Sequence, residues 1–275
     1  MQAYPRMMQR FSSCRRYRRP AALPIPDVAT SFTNGAIEIV IARLDARPEA
    51  VRSLAEWLSA EERRRADRYD FDRDRRRFIV ARARLRQLLA VRLMTRPEAV
   101  ELVYGGHGKP ALARRSDGTD WRFSVSHCDE MAVYAFSQGR EVGVDIEAIR
   151  NVCDADAIVS HFFSRCEQNA YLALDPGEKM LGFFNCWTRK EAFLKALGDG
   201  LSLPLDCFDV SLAPGEPARI LRVKNTPGCD SGWCLNSFSF SPGFVAAVVA
   251  ERRALGAEAG AASPQAPLSV TATLL

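Results

Sequence analysis

Around Gln138-Gly139 the pattern of this chain begins again, and that restart limits its fold more than any other feature. Before it, AIEIVIARL (36–44) alternates as a strand, and VRSLAEWLSAEERRRADRY (51–69) is spaced as a helix. RRRFIVARARLRQLLAVRLM (75–94) reads as a second, longer amphipathic helix, and the strands of 101–113, WRFSVSH and MAVYAFSQ follow. After it come the strand VGVDIEAI (142–149), one helix over 157–174, another over 178–198, and strands near CFDVSL, WCLNSFSF and FVAAVVA. Strand, helices and antiparallel strands thus occur twice without strong identity between the copies. The economical reading is an α+β protein made by internal duplication, with halves at 35–139 and 140–251.

Within the first half, Val51, Leu54, Leu58 and Tyr69 mark helical spacing, and Ser59-Ala60-Glu61-Glu62 marks a helix restart. On the longer helix Phe78, Leu85, Leu88 and Leu89 form the packing stripe, so Arg77, Arg82, Arg84 and Arg86 are expected to project elsewhere. Lys109 stands at the tip of a glycine-rich turn fixed by Pro110, and Ser126 and His127 close a strand at a loop edge, where site residues are often held.

The second half carries the densest chemistry. In VGVDIE the apolar Val142, Val144 and Ile146 alternate with Gly143, Asp145 and Glu147, so both carboxylates share one face and Gly143 is expected to leave it open. On the following helix Trp187, Glu191 and Lys195 recur every four residues and stack along one side. Each motif alone is usually a solvated face or a surface ion pair. Together they place three carboxylates and a lysine within reach of each other, a set suited to a hard ion such as Mg²⁺ holding a phosphate. Lys190 falls within the helix arc that should face the core, where it must snorkel out or meet an anion, and a phosphate is one candidate.

GKPAL, FSVSH, VGVDIE and WTRKEAFLKALGDGLSLPL, in that order over about residues 35–250, resemble the larger, single-chain class of the 4′-phosphopantetheinyl transferase superfamily. One departure is Cys128, where the family commonly has serine. The resemblance implies two similar α+β halves about a pseudo-twofold axis. It also implies transfer of the phosphopantetheine arm from coenzyme A to a serine of an apo carrier protein. By the same resemblance Asp145, Glu147 and Glu191 bind the metal, Glu191 takes the serine proton, and Lys195 pairs with the pyrophosphate, with Lys190 assisting. Arg82, Lys109, Ser126 and His127 match positions that hold the donor nucleotide, with Arg65 a looser match. The alternatives are a metal-dependent phosphohydrolase, in which water replaces serine, and a non-catalytic carrier-protein-binding paralogue.

Composition sets the surroundings. Residues 61–92 hold much of the arginine in a chain of net charge +5, which suits an acidic partner or a polyphosphate. Aromatic interleaving and a reading motif are absent from that stretch, so no nucleic-acid partner is expected. Eight cysteines with no C-x-x-C pair and three histidines indicate neither a zinc site nor a disulfide framework, and point to a reducing cytoplasm. FVAAVVA is far too short to span a bilayer, so no membrane partner is expected either. Six arginines and no acid in the first twenty residues read as a disordered basic extension, 1–34, and the Ala-, Pro- and Ser-rich 252–275 reads as a flexible tail. With both halves of the site in one chain, a monomer is expected.

Overall fold

The computed structural model describes residues 37–105, 108–113, 118, 120–198, 203–224, 232–252 and, for the backbone only, 270–274. The basic extension and most of the tail lie outside the described residues.

Each half is a small antiparallel sheet with helices on one face. The first runs β1 (Ile37–Arg43), α1 (Pro48–Ala55), α2 (Ala60–Ala66), α3 (Asp72–Leu93), a hairpin of β2 (Leu102–Tyr104) and β3 (Pro110–Leu112), then β4 (Trp121–Cys128) and β5 (Met131–Gln138). The second repeats this order as β6 (Val142–Ala148), α4 (Ala155–Phe162), α5 (Arg165–Leu172), α6 (Lys179–Leu197), a hairpin of β7 (Phe208–Val210) and β8 (Ile220–Val223), then β9 (Trp233–Phe238) and β10 (Phe244–Glu251). The sheets match strand for strand, β1-β5-β4 against β6-β10-β9.

The register makes the duplication residue-specific. Leu44 N donates to Glu130 O just beyond β1, and Ile149 N donates to Gly243 O just beyond β6. Counting back along the paired strands, Ala42 stands where Glu147 does, Val40 where Asp145 does, and Glu38 where Gly143 does.

Three apolar layers hold the halves. Val40, Ala42, Leu85, Leu89 and Tyr134 fill the space between the first sheet and its helices, and Phe183, Trp187, Phe193, Ala247 and Val249 do so in the second. The opposite faces of the two sheets meet through Ile39, Ile41, Val133, Val144, Ile146 and Val248. Burying each large aliphatic side chain contributes about 1.5–3 kcal/mol, so this shared layer fixes the halves to each other.

Three expectations need correction. The helix read over 157–174 is two, because Ser164 Oγ accepts from Glu167 N and the Glu167 carboxylate accepts from Ser164 N, a capping box that starts α5. Arg82 and Arg86 do not project away from the packed stripe but are buried. The tail does not stay loose throughout, since β11 (Val270–Leu274) pairs in parallel with the outer edge of β1 and satisfies its backbone groups.

The outer edge of β6 is satisfied differently, by side chains of β4: Ser124 Oγ accepts from Val144 N at 3.1 Å and Cys128 Sγ accepts from Ala148 N at 3.3 Å. Period-two spacing in FSVSHC aims Ser124, Ser126 and Cys128 at the same neighbour. Through this seam the first half meets the carboxylate strand.

Candidate active site

Every residue of β6 is buried, including the carboxylates. Gly143 does not leave their face open, because α6 fills it. A Cβ on Gly143 would lie 2.0 Å from Ala192 O and 2.3 Å from Ala196 N, so only glycine lets the helix backbone come this close. That approach brings Glu191 and Lys195 onto the strand, as the helical spacing requires.

Lys195 Nζ lies 2.6 Å from Asp145 Oδ1 and donates to Ser126 Oγ at 3.0 Å, while Ser126 Oγ donates to Asp145 Oδ1 at 2.8 Å. Strand end, carboxylate strand and helix therefore meet in one triangle. Desolvation works against the Lys195 ammonium, but the charges of Asp145 and Glu191 more than offset it, and its pKa is raised. Glu191 and Glu147 are each pushed up to about 7, by burial first and then by the negative charge of Asp145. Glu147 also faces Arg150 at 3.5 Å and accepts from Cys128 Sγ at 3.4 Å.

Among the described residues no group of three or more acidic, cysteine or histidine side chains is arranged to hold a metal ion. The chemistry of the set still fits one. Asp145 Oδ2 and Glu191 Oε1 are buried without a hydrogen-bond partner, and buried carboxylate oxygens left without donors are suited to a cation.

Beside the triangle opens a cleft of about 270 Å³ lined by Arg65, Phe78, Arg82, Ser126, His127 and Lys195, with Gly108 and Pro110 of the glycine-rich turn. The cations, Arg65, Arg82 and Lys195, come from α2 and α3 of the first half and from α6 of the second. Arg82 Nη1 is buried with no hydrogen-bond partner. His127 lines the cleft and is exposed to solvent. Desolvation, then the positive charges of Lys195, Arg82 and Arg65, disfavours its protonated form.

Two lysines read as phosphate ligands stand elsewhere. Lys190 is fully buried, 0% exposed, and the anion it meets is Glu167 at 2.8 Å; its remaining donors go to Leu205 O and Phe208 O, each at 2.6 Å. It faces the core side of α6 and does not line the cleft. Lys109 donates to Lys195 O at 2.5 Å, placing a cation on the carbonyl end of α6. Sequence reasoning gives Glu62 a place in a helix restart but no buried ion pair, and does not pick out Arg150 or Glu167. The serine-to-glutamate spacing Ser164–Glu167 was the signal for the last of these, and it matches the Ser59–Glu62 restart of the first half.

Residues 141–249 match the family model of the 4′-phosphopantetheinyl transferase superfamily, and residues 45–139 match that of the 4′-phosphopantetheinyl transferase N-terminal region. The boundary between the two matches falls at the restart of the fold. The chain is 32% identical over 209 residues to the 4′-phosphopantetheinyl transferase HetI of Nostoc sp., covering 73% of this chain and 88% of that protein. It is 28% identical over 194 residues to the 4′-phosphopantetheinyl transferase Sfp of Bacillus subtilis, covering 70% and 82%. The chain belongs to the 4′-phosphopantetheinyl transferase superfamily, in its larger, Sfp-like class. It is an enzyme of α+β fold that acts on carrier proteins with coenzyme A as the donor.

Proposed function

We propose that the cleft holds coenzyme A with its pyrophosphate toward Lys195, and that the chain moves the phosphopantetheine arm to a carrier serine, releasing adenosine 3′,5′-bisphosphate. The observation that carries this reading is the position of Lys195, which lines the cationic cleft and pairs with Asp145 at 2.6 Å. Donor site and carboxylates thereby share one residue.

In-line attack on the β-phosphate needs positioning, charge neutralisation and removal of a proton from the attacking hydroxyl. Asp145, Glu147 and Glu191 would hold a divalent ion such as Mg²⁺, which when bound withdraws charge from the pyrophosphate. Lys195 supplies a second positive charge to the same group. Glu191 takes the serine proton, its basicity raised by burial and by Asp145. Ser126 Oγ ties Lys195 to Asp145, and His127, Arg82 and Arg65 face the donor nucleotide. Lys109 supports the site from the end of α6. Lys190 has no part in donor binding.

Incubating the enzyme with coenzyme A, Mg²⁺ and an apo carrier protein should give a mass gain confined to the carrier. Asp145→Ala should lower the rate by about a hundredfold or more, the scale of losing one centre of transition-state charge stabilisation. Consumption of coenzyme A without modification of any of several carriers would favour the phosphohydrolase instead. The site is completed within one chain, which supports a monomer, and sedimentation of the active species tests that. No helix among the described residues is long and apolar enough to cross a membrane, and the described cysteines are free thiols, as suits a cytoplasmic enzyme.

A further inference from the structure

The capping boxes that start α2 and α5 occupy equivalent places in the two halves, and they differ in the use of one carboxylate oxygen. In the second half Glu167 Oε2 accepts from Ser164 N, and Glu167 Oε1 takes both Val210 N and the Lys190 ammonium, each at 2.8 Å. In the first half Glu62 Oε2 accepts from Ser59 N at 2.8 Å and from Arg86 Nε at 2.7 Å. Glu62 Oε1 instead faces Arg82 Nε at 3.6 Å and the Tyr104 hydroxyl at 3.5 Å.

Arg86 and Lys190 correspond, since each reaches the carboxylate of its capping box and two carbonyls of the turn after its helix, Pro97 and Val100 in one case, Leu205 and Phe208 in the other. With those two matched, the place of Arg82 on α6 belongs to Cys186. Arg82 is therefore an addition to the shared framework. Its guanidinium lies over Phe78 and Tyr104, and its Nη1 is buried without a partner beside the cleft it lines.

We propose that Glu62 is a positioning residue for donor recognition, holding Arg82 at Nε so that the Nη end is presented to an anionic group of the bound nucleotide. The proposal rests on the reading of the cleft as the coenzyme A site. A guanidinium held at one edge keeps its other nitrogens in a fixed plane, which suits phosphate oxygens, and the rotamer freedom lost on binding is already lost in the free enzyme. The carboxylate does not cancel the attraction it arranges, because Arg86 at 2.7 Å already balances its charge. Two arginines on one carboxylate leave a net positive charge facing the cleft.

The test is the dissociation constant of coenzyme A, by calorimetry on the full-length enzyme. Arg82→Ala should weaken binding by about ten- to a hundredfold, the loss of a charge-assisted contact. Glu62→Gln keeps an acceptor for Ser59 N but loses the charge, and should weaken binding several-fold in the wild-type background and not at all in the Arg82→Ala background. Ser59→Ala weakens the same cap without touching Arg82, so it should lower the melting temperature and leave the affinity alone. Where Glu62→Gln does not fold, Arg82→Lys replaces it: it keeps the charge without an Nε to hold, and its affinity should fall close to that of Arg82→Ala. Equal costs of Glu62→Gln in both backgrounds, or wild-type affinity in Glu62→Gln or Arg82→Lys, overturn the positioning role. Unchanged affinity in Arg82→Ala would remove the cleft itself as the donor site, a different failure from the other two.

Discussion

The two halves share a frame and differ in what they place on it. On β6 stand Asp145 and Glu147; on β1 their places are taken by Val40 and Ala42. On α6 stand Glu191 and Lys195; with Lys190 matched to Arg86, α3 has Gln87 and Val91 there, and Val91 is 70% exposed. The helix of each half meets its strand in a different way. Gly143 lets Ala192 and Ala196 touch β6, whereas the corresponding Glu38 pairs with Arg92 on α3, and α3 keeps its backbone farther from β1. Where an ion pair props helix from strand there is an apolar core, and where glycine removes the prop the carboxylates and the lysine converge. The buried pairs Glu62–Arg86 and Glu167–Lys190 are common to both halves and belong to the frame, whereas the Glu62–Arg82 contact is found in the first half alone.

The largest effect should come from breaking the frame. Lys190→Met leaves Glu167 and two carbonyls buried without their cation, and should cost about 3–5 kcal/mol of stability, as should Arg86→Met in the other half. Adding Glu167→Gln to Lys190→Met should recover much of the loss and restore coenzyme A binding, read by thermal melts and calorimetry. A double variant that melts normally yet binds no coenzyme A would return Lys190 to the donor site.

Next comes the glycine. Gly143→Ala places a methyl group against helix backbone that has nowhere to yield, and should cost about 1–3 kcal/mol or more while moving Glu191 and Lys195 off Asp145. Glu38→Ala also frees the Arg92 charge within the other half, yet should leave turnover per folded molecule unchanged. Comparing rates per folded molecule separates the two. Equal activity in both variants would mean that the close approach of α6 is not what assembles the site.

A smaller effect follows from titration. Glu147 and Glu191 bind protons more tightly in the folded state, at about 7, than in the unfolded chain near 4.5. Between those values the folded protein holds the extra protons, so their contribution favours folding below about pH 4.5 and is lost as pH rises through 7. A divalent ion bound to the ionised pair reverses that loss. The rise in melting temperature produced by Mg²⁺ should therefore be small at pH 5 and larger at pH 8, and should shrink in Glu191→Gln. A rise independent of pH would separate these carboxylates from the ion. The first half has no such acidic cluster on β1 and α3, so its variants should not alter the effect.

Much of this was legible in the sequence, and the misses have physical reasons. Periodicity of two and of four placed Asp145, Glu147, Glu191 and Lys195 on facing surfaces, because faces depend only on spacing along one element. Whether a face is open depends on what packs there, and so spacing alone makes Gly143 an opening when it is the contact itself. The place of Lys190 on its helix calls for an anion, which it has, but the anion is a protein carboxylate brought in from α5. Periodicity sends Arg82 and Arg86 away from the packed stripe, since nothing local signals that Glu62 lies beside them, and only the family resemblance gives Arg82 a place in the site. The Ser59–Glu62 capping box was visible while Ser164–Glu167 was not, because the apolar run around Phe162 and Phe163 hides the break between α4 and α5.

The smallest effect concerns the seam between the halves. Ser124 Oγ and Cys128 Sγ make the same kind of bond to the edge of β6, accepting from Val144 N and Ala148 N. Burial, followed by the charge of Glu147, pushes the Cys128 pKa well up, so the group stays a thiol, which can also donate to Glu147 Oε2. A hydroxyl can make both bonds. Cys128→Ser should therefore change stability by no more than about 0.5 kcal/mol, the range of substitutions that disturb no packing, cap or buried bond, and leave turnover within experimental error. Cys128→Val keeps a similar shape but leaves Ala148 N unpaired, and should cost about 1–3 kcal/mol. Thermal melts of the two variants read the difference. Should serine prove as damaging as valine, the thiol is filling space and not satisfying the strand edge, and the seam would have to be explained by packing alone.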